Sequence, residues 1–183
     1  CRAYTAALGE QARKLQSLID ALVKTSRLEA GVLVLHPRPG PLGPMLEEAA
    51  AQFAPRAAEK GLELILEPAG AEAVFDPKWT AEAVCNLIDN AVKYTPSGTI
   101  TVSARAYELF ARIDVADTGP GIPEEELGKL FRRFYRGGAA SEAEGVGVGL
   151  YLVRQIAQGQ GGYVKAFSRP GQGARFSLFL PRN

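Results

Sequence analysis

From residue 46 to the C-terminus, segments with helical spacing take turns with segments of two-residue alternation. That interleaving restricts the chain to helices packed on a sheet. Lys78–Lys93 is the strongest helix: Val84, Leu87, Ile88, Ala91 and Val92 fall on one side, and Pro96 and Gly98 close the segment. Directly after it, Ile100, Val102 and Ala104 alternate with Thr101, Ser103 and Arg105, the mark of a half-buried strand. Further strands are predicted at Leu62–Leu66, Ala73–Phe75, Phe110–Ala116, Tyr163–Phe167 and Arg175–Leu180. Further helices are predicted at Leu46–Arg56, with Pro55 expected to end it, at Glu124–Leu130 and at Leu150–Ala157. The expected class is α+β: a two-layer sandwich with a mixed sheet of about five strands and helices on one face.

A different pattern precedes this part. Over residues 3–29, Leu8, Leu15 and Leu22 recur every seven residues beside Leu18, Ile19 and Val23, opposite Glu10, Arg13, Lys14, Asp20 and Lys24. This is one long helix with a stripe wide enough for a bundle, and its partner is expected to be a further helix or a second copy; the alternative is a helix lying on its own domain. Gly31 suits a C-cap, and Val32–Leu35 reads as a short strand. Pro37–Pro44, with four prolines and two glycines, reads as a linker. The expected division is residues 1–31, a helical element, and residues 32–183, a globular domain. A chain that opens on Cys1 inside a helical pattern is expected to be a piece of a longer protein.

Composition removes several functions. A net charge of +1 argues against nucleic-acid binding, which draws its affinity from Lys and Arg on phosphates. Two distant cysteines, Cys1 and Cys85, make neither a disulfide scaffold nor a four-ligand zinc site, which fits a reducing cytosol. The single histidine, His36, leaves no catalytic triad in its usual context. No apolar run approaches the roughly 18 residues of a membrane span.

Three motifs carry chemistry. Gly145-Val146-Gly147-Val148-Gly149-Leu150 runs into a helix, where glycines allow close approach and the helix start offers free N–H donors to phosphate. Asp117-Thr118-Gly119-Pro120-Gly121-Ile122 follows a strand; its carboxylate can accept from an amine such as that of adenine, and its glycines leave room for a flat base. Asn86 and Asn90, four apart, share a helix face with Lys93 one turn on, giving amide oxygens suited to Mg²⁺ and a cation suited to phosphate.

Together, in this order, the motifs resemble the catalytic ATP-binding domain of sensor histidine kinases, within the wider gyrase, Hsp90, histidine kinase and MutL ATPase family. Asn86–Pro96 resembles the family's N box, Asp117–Ile122 its first glycine box and Phe131-Arg-Arg-Phe134-Tyr-Arg136 its F box. Gly145–Leu150 resembles the second glycine box and Gly171–Phe176 the closing glycine segment. Ser26–Gly31 looks like the end of the second helix of the dimerisation and phosphoacceptor hairpin.

The resemblance implies ATP and Mg²⁺ as ligands. Asp117 would take the adenine amine, beside Gly119, Gly121 and Ile122. Asn90 would hold Mg²⁺ with Asn86 close by, Lys93 would reach the phosphates, and Tyr94 would cover the base. Gly145, Val146, Gly147, Val148, Gly149 and Leu150 would line the phosphates. Phe131, Phe134 and Arg136 would border the nucleotide, and Arg136–Val146 would form a lid. It further implies transfer of the γ-phosphoryl group to a histidine on an acceptor helix, a homodimer, a response regulator as the next partner, and a cytoplasmic domain whose parent is attached to a membrane. ATP-hydrolysing relatives place a water-activating glutamate where this chain has Asn86, and a neutral amide is no general base. The acceptor segment is absent, and His36 reads as a surface loop residue. Gln160 stands where the family often has histidine. Ala174 stands where threonine or serine is common, which is expected to loosen the bonding behind Asp117. Val148 replaces a usual leucine. The alternatives are an anti-sigma-type serine kinase, a degenerate nucleotide-binding module, or an interaction domain with no nucleotide affinity.

Overall fold

The computed structural model describes residues 2–31, 34–137 and 147–183. Helix α1 spans Arg2–Glu29. It is followed by β1 (Arg38–Pro41), α2 (Gly43–Glu59), β2 (Leu62–Leu66), β3 (Glu72–Phe75) and α3 (Pro77–Tyr94). Next come β4 (Gly98–Ala106), β5 (Phe110–Asp117), α4 (Glu124–Leu127), α5 (Gly149–Gly159), β6 (Tyr163–Ser168) and β7 (Ala174–Pro181). The main sheet has five strands in the order β2-β4-β5-β7-β6; β2 and β4 are parallel and the other pairs antiparallel. Its inner face presents Ile100, Val102, Ile113, Val115, Phe176 and Leu178, all buried against α2, α3 and α5. The expected mixed sheet with helices on one face is therefore the fold.

Four expectations are corrected. Leu35 and Val34 are irregular, and the rest of the strand expected at Val32–Leu35 lies outside the described residues. The proline-rich stretch holds a strand instead: β1 pairs antiparallel with β3, Pro39 opposite Val74 and Pro41 opposite Glu72. A two-stranded ribbon leaves each strand one unpaired edge, which is where proline's missing N–H is tolerated. Pro55 does not end α2, which runs one turn further. So near the end the helix forfeits a single bond, and Lys60 ties its terminus to the C-terminal carbonyls of α3, at 2.5 Å from Val92 and 3.3 Å from Thr95. The short helix expected over Glu124–Leu130 stops at Leu127.

Gln160, the departure with no evident role in the sequence, joins the end of α5 to the start of α3. Its Oε1 accepts from the Asp76 N–H at 2.5 Å and the Thr80 hydroxyl at 3.2 Å, and its Nε2 donates to the Ile156 carbonyl at 3.2 Å. Asp76 in turn caps α3 by accepting from Trp79 N–H at 3.1 Å and accepts from the His36 N–H at 2.9 Å. Because Gln160 is only 6% exposed, truncation would leave the Asp76 N–H without a partner. Gln160→Ala is expected to cost about 2 kcal/mol, lowering the melting temperature by roughly 4–8 °C in a thermal unfolding scan; an unchanged transition would refute the role.

The C-terminal part of α1 lies against α5. Thr25 is buried, Lys24 pairs with Glu82 at 2.7 Å, and Glu29 accepts from the Tyr151 hydroxyl and pairs with Arg133 at 3.5 Å. Leu15, Ile19 and Val23 remain exposed on the same helix. Among the described residues, no helix is long and apolar enough to cross a membrane.

Candidate functional site

The site is assembled along α3, whose C-terminal end meets the end of β5 and whose middle meets the start of α5. Asp117 is the last residue of β5, opposite Ile100 on one side and Ala174 on the other. Its Oδ1 accepts from the Gly119 N–H at 2.8 Å and the Ala174 N–H at 3.3 Å. Among the described residues no hydrogen bond reaches Oδ2. Burial pushes the carboxyl pKa up, and the Gly119 and Ala174 N–H groups and then the Thr95 hydroxyl pull it back. Ala174 thus holds Asp117 through its backbone, which needs no side-chain hydroxyl.

The glycine loop after Asp117 is pinned at both ends. Thr118 N–H donates to the Thr99 carbonyl at 3.1 Å, and its hydroxyl accepts from the Thr99 N–H at 2.9 Å. Ile122 N–H donates to Ser168 Oγ at 2.8 Å, which itself donates to the Gly173 carbonyl at 2.6 Å. Gly171 N–H donates to the Pro120 carbonyl at 2.7 Å. Gly121 lies against the backbone of Arg169 and Pro170 in the same turn. The closing glycine segment therefore buttresses the first glycine box.

On α3, Asn86 Nδ2 donates to the Glu82 carbonyl at 2.8 Å, so its Oδ1 is the end that faces outward from the helix. That oxygen would lie 2.8 Å from a Cβ on Gly149, which places the amide against the first residue of α5. Asn90 is half-buried and its side chain makes no hydrogen bond among the described residues. Lys93 is ion-paired with Asp89, which also pairs with Arg56 at 2.5 Å. Tyr94 is half-buried; burial raises its pKa, while the Arg136 guanidinium opposes that rise, so the two side chains share one field.

At the start of α5, Val148 is buried and its carbonyl accepts from Leu152 N–H at 2.9 Å; Leu150 packs on the core. Gly147 has φ +73°, and a Cβ there would lie 2.5 Å from the Tyr135 carbonyl oxygen and 2.9 Å from the Phe134 carbonyl carbon. Its own carbonyl accepts from Phe134 N–H at 2.9 Å. Phe134 is the one non-glycine residue with positive φ, +62°, among the described residues. It is exposed beneath the Arg133 guanidinium, 5.2 Å from the ring. Phe131 turns inward and meets Phe176 edge-on at 6.3 Å, which anchors the F-box segment on β7. Gly145, Val146 and most of the expected lid lie outside the described residues.

The structure so brings Asp117, Gly119, Gly121 and Ile122 together as one wall and sets Asn86 against Gly149 as a second. Phe131 faces the core, and Lys93 is held by Asp89. Two contributors were not singled out in the sequence. Thr95, the C-cap of α3, stands beside Asp117 and Gly119, and its only sequence signal is a hydroxyl just before Pro96. Glu29 reaches Arg133 and Tyr151 from more than 100 positions away, a pairing no local pattern marks.

Residues 75–183 match the family described as histidine kinase-, DNA gyrase B-, and HSP90-like ATPase. The adaptive-response sensory kinase SasA of Synechococcus elongatus is 32% identical over 175 residues, covering 93% of this chain and 45% of that protein. The histidine protein kinase DivJ of Caulobacter vibrioides is 35% identical over 182 residues, covering 97% of this chain and 30% of DivJ. The chain thus spans less than half the length of these curated relatives. Among solved structures, full-length ShkA in complex with AMPPNP superposes with a TM-score of 0.83 at 31% identity, over 98% of this chain and 38% of ShkA. The Acinetobacter baumannii histidine kinase AdeS superposes at 0.82 with 22% identity, over 97% of this chain and 83% of AdeS, a likeness of fold.

Proposed function

Given that the chain belongs to the histidine kinase-, DNA gyrase B- and HSP90-like ATPase family, in its sensor histidine kinase branch, we propose that it binds Mg-ATP at the Asp117–Gly149 site and transfers the γ-phosphoryl group to a histidine, for relay to a response-regulator aspartate. The observation that carries this reading is Asn86 seated against the start of α5. A neutral amide occupies the place from which a carboxylate could activate water. The carboxylates nearest along α3 are engaged as well, Glu82 by Lys24 and Asp89 by Arg56 and Lys93. A site so equipped holds the nucleotide and leaves attack to a nucleophile brought from outside.

The groups divide the work. Asp117 offers a free carboxylate oxygen to the amine of adenine. The first N–H groups of α5 and the Gly147 turn receive phosphate oxygens. Among the described residues no three His, Cys, Asp or Glu side chains gather into a metal cage. That suits Mg²⁺, which keeps several waters and relies on phosphates plus one or two protein oxygens, and the unpartnered Asn90 amide is the group that would contact it. Bound there, Mg²⁺ neutralises the charge that develops on the phosphates. In the transfer, the bond from the γ-phosphorus to the bridging oxygen breaks and a bond to an imidazole nitrogen forms, leaving ADP. Lys93 would hold the phosphates for that in-line displacement, while Asn86, whose amide oxygen faces outward, and Asn90 would serve the cation. Lys93 would exchange its half-buried ion pair with Asp89 for phosphate.

The test uses labelled ATP. This chain is expected to bind ATP without labelling itself, because the exposed His36 lies in the loop that leads to β1 and donates its backbone N–H to Asp76. Added to a separate helix bearing an acceptor histidine followed by an acid, it is expected to label that helix. No calorimetric heat at millimolar Mg-ATP would refute the reading, and self-labelling that survives His36→Gln would refute the account of the acceptor.

A further inference from the structure

Lys93 is the cation placed for the phosphates, yet the fold holds it already bound. Its ammonium is paired with Asp89 one turn earlier on α3, and the two side chains are only 23% and 25% exposed. Were Lys93 the sole partner of Asp89, moving it to a phosphate would leave a bare, half-buried carboxylate behind. That carboxylate would pull the ammonium back and repel the incoming anion.

Helix α2 changes this balance. Arg56 Nη1 donates to Asp89 Oδ1 at 2.5 Å, whereas Lys93 sits on Oδ2. The two cations use different oxygens, so one can leave while the other stays. One turn along α2, Lys60 Nζ donates to the carbonyls of Val92, Lys93 and Thr95 at 2.5, 3.2 and 3.3 Å. That grip fixes the backbone of the last turn of α3, so the exchange by Lys93 is a movement of its side chain. The charge of Asp89 also reaches the site. Burial first, and then the Asp89 carboxylate, raise the Tyr94 pKa against the pull of the Arg136 guanidinium.

We propose that Arg56 is a positioning residue for phosphate binding, which keeps Asp89 neutralised when Lys93 moves to the phosphates and so lowers the cost of that exchange. The assignment rests on the ATP reading above. It gives α2, which contributes no other group to the site, control over how readily Lys93 is released. A pair that merely braced α2 on α3 would show the same contact, and the two roles differ in what loss of Asp89 does.

The experiment is titration calorimetry of the whole chain with Mg-ATP on the wild type, Arg56→Gln, Arg56→Lys, Asp89→Asn and the Arg56→Gln, Asp89→Asn double variant. Arg56→Gln is expected to weaken ATP binding about 5-fold. Arg56→Lys should stay near wild type, because the contact is a single hydrogen bond and not a bidentate one. Asp89→Asn frees Lys93 outright, so it should bind ATP at least as tightly as wild type and should abolish the Arg56→Gln loss when the two are combined. An Arg56→Gln loss that persists beside Asp89→Asn overturns the assignment, since one cation would then be acting on an anionic ligand without Asp89. So does an Asp89→Asn that weakens ATP as much as Arg56→Gln, the sign of a brace, and so does an Arg56→Gln of unchanged affinity. A wild type that binds no ATP overturns the ATP reading itself, a result distinct from these.

Discussion

Asp117→Asn is expected to weaken ATP binding by roughly 100-fold, the scale of a lost charge-assisted hydrogen bond, and to weaken GTP far less. The geometry dictates how the variant fails. Oδ1 is held by the Gly119 and Ala174 N–H groups, so an asparagine keeps its oxygen there and turns its NH₂ toward the base. Two donors then face each other at the adenine amine, while guanine's O6 would find a donor. Equal losses for both nucleotides, measured by calorimetry, would refute the role. The same carboxyl sets a pH dependence. Burial raises its pKa above the ordinary 3.8, and only the ionised form accepts from the amine on both sides. ATP affinity should therefore fall as the pH drops through the raised value, and this fall should vanish in Asp117→Asn. Stability runs the opposite way. A carboxyl whose folded pKa is raised destabilises the ligand-free fold above that pKa and ceases to do so below 3.8. Its own contribution to unfolding free energy thus increases on acidification across that window.

Gly173→Ala should cost about 3 kcal/mol or more, and some 6–12 °C in melting temperature, with loss of nucleotide binding. Gly173 has φ +76°, and a Cβ there would overlap the Asp117 carbonyl oxygen and lie 2.8 Å from its carbonyl carbon and 3.0 Å from Thr118 Cα. All of these are backbone atoms, so no side chain can rotate aside; β5 and β7 must part just where Asp117 pairs with Ala174. Gly171 supplies the control. Its φ is +77°, but nothing lies within 4 Å of its would-be Cβ. Gly171→Ala carries the backbone strain alone, about 1 kcal/mol. Equal effects of the two substitutions in urea unfolding would show that the close approach at Gly173 is not what matters.

Much of this architecture was legible because its signals are local. Val84, Leu87, Ile88 and Ala91 announce α3 by their spacing, and all are buried on the sheet. Ile100, Val102 and Ala104 announce β4 by alternation and face the same core. The proline-rich segment misled for an equally physical reason. Proline reads as a breaker in isolation, yet β1 needs bonds on one side only, and its partner β3 is more than 30 residues away. Pro55 misled likewise, since the end of α2 is secured by the Lys60 ammonium on α3 carbonyls.

Local chemistry, then, is what the sequence by itself determined: periodicity, glycines ahead of a helix, a carboxylate at a strand end, an amide where water activation would need an acid. Those properties belong to single segments, and the order of the motifs is enough to imply the nucleotide. The tertiary structure alone decided which groups are spent and which are free. Asp117 Oδ1 is satisfied by residues 119 and 174, Lys93 is held by Asp89, Asn86 meets Gly149 across two helices, and Thr95 has a buried hydroxyl with no partner among the described residues. Hydrogen-bond satisfaction depends on atoms that packing brings together from distant parts of the chain, and no spacing in the sequence records it.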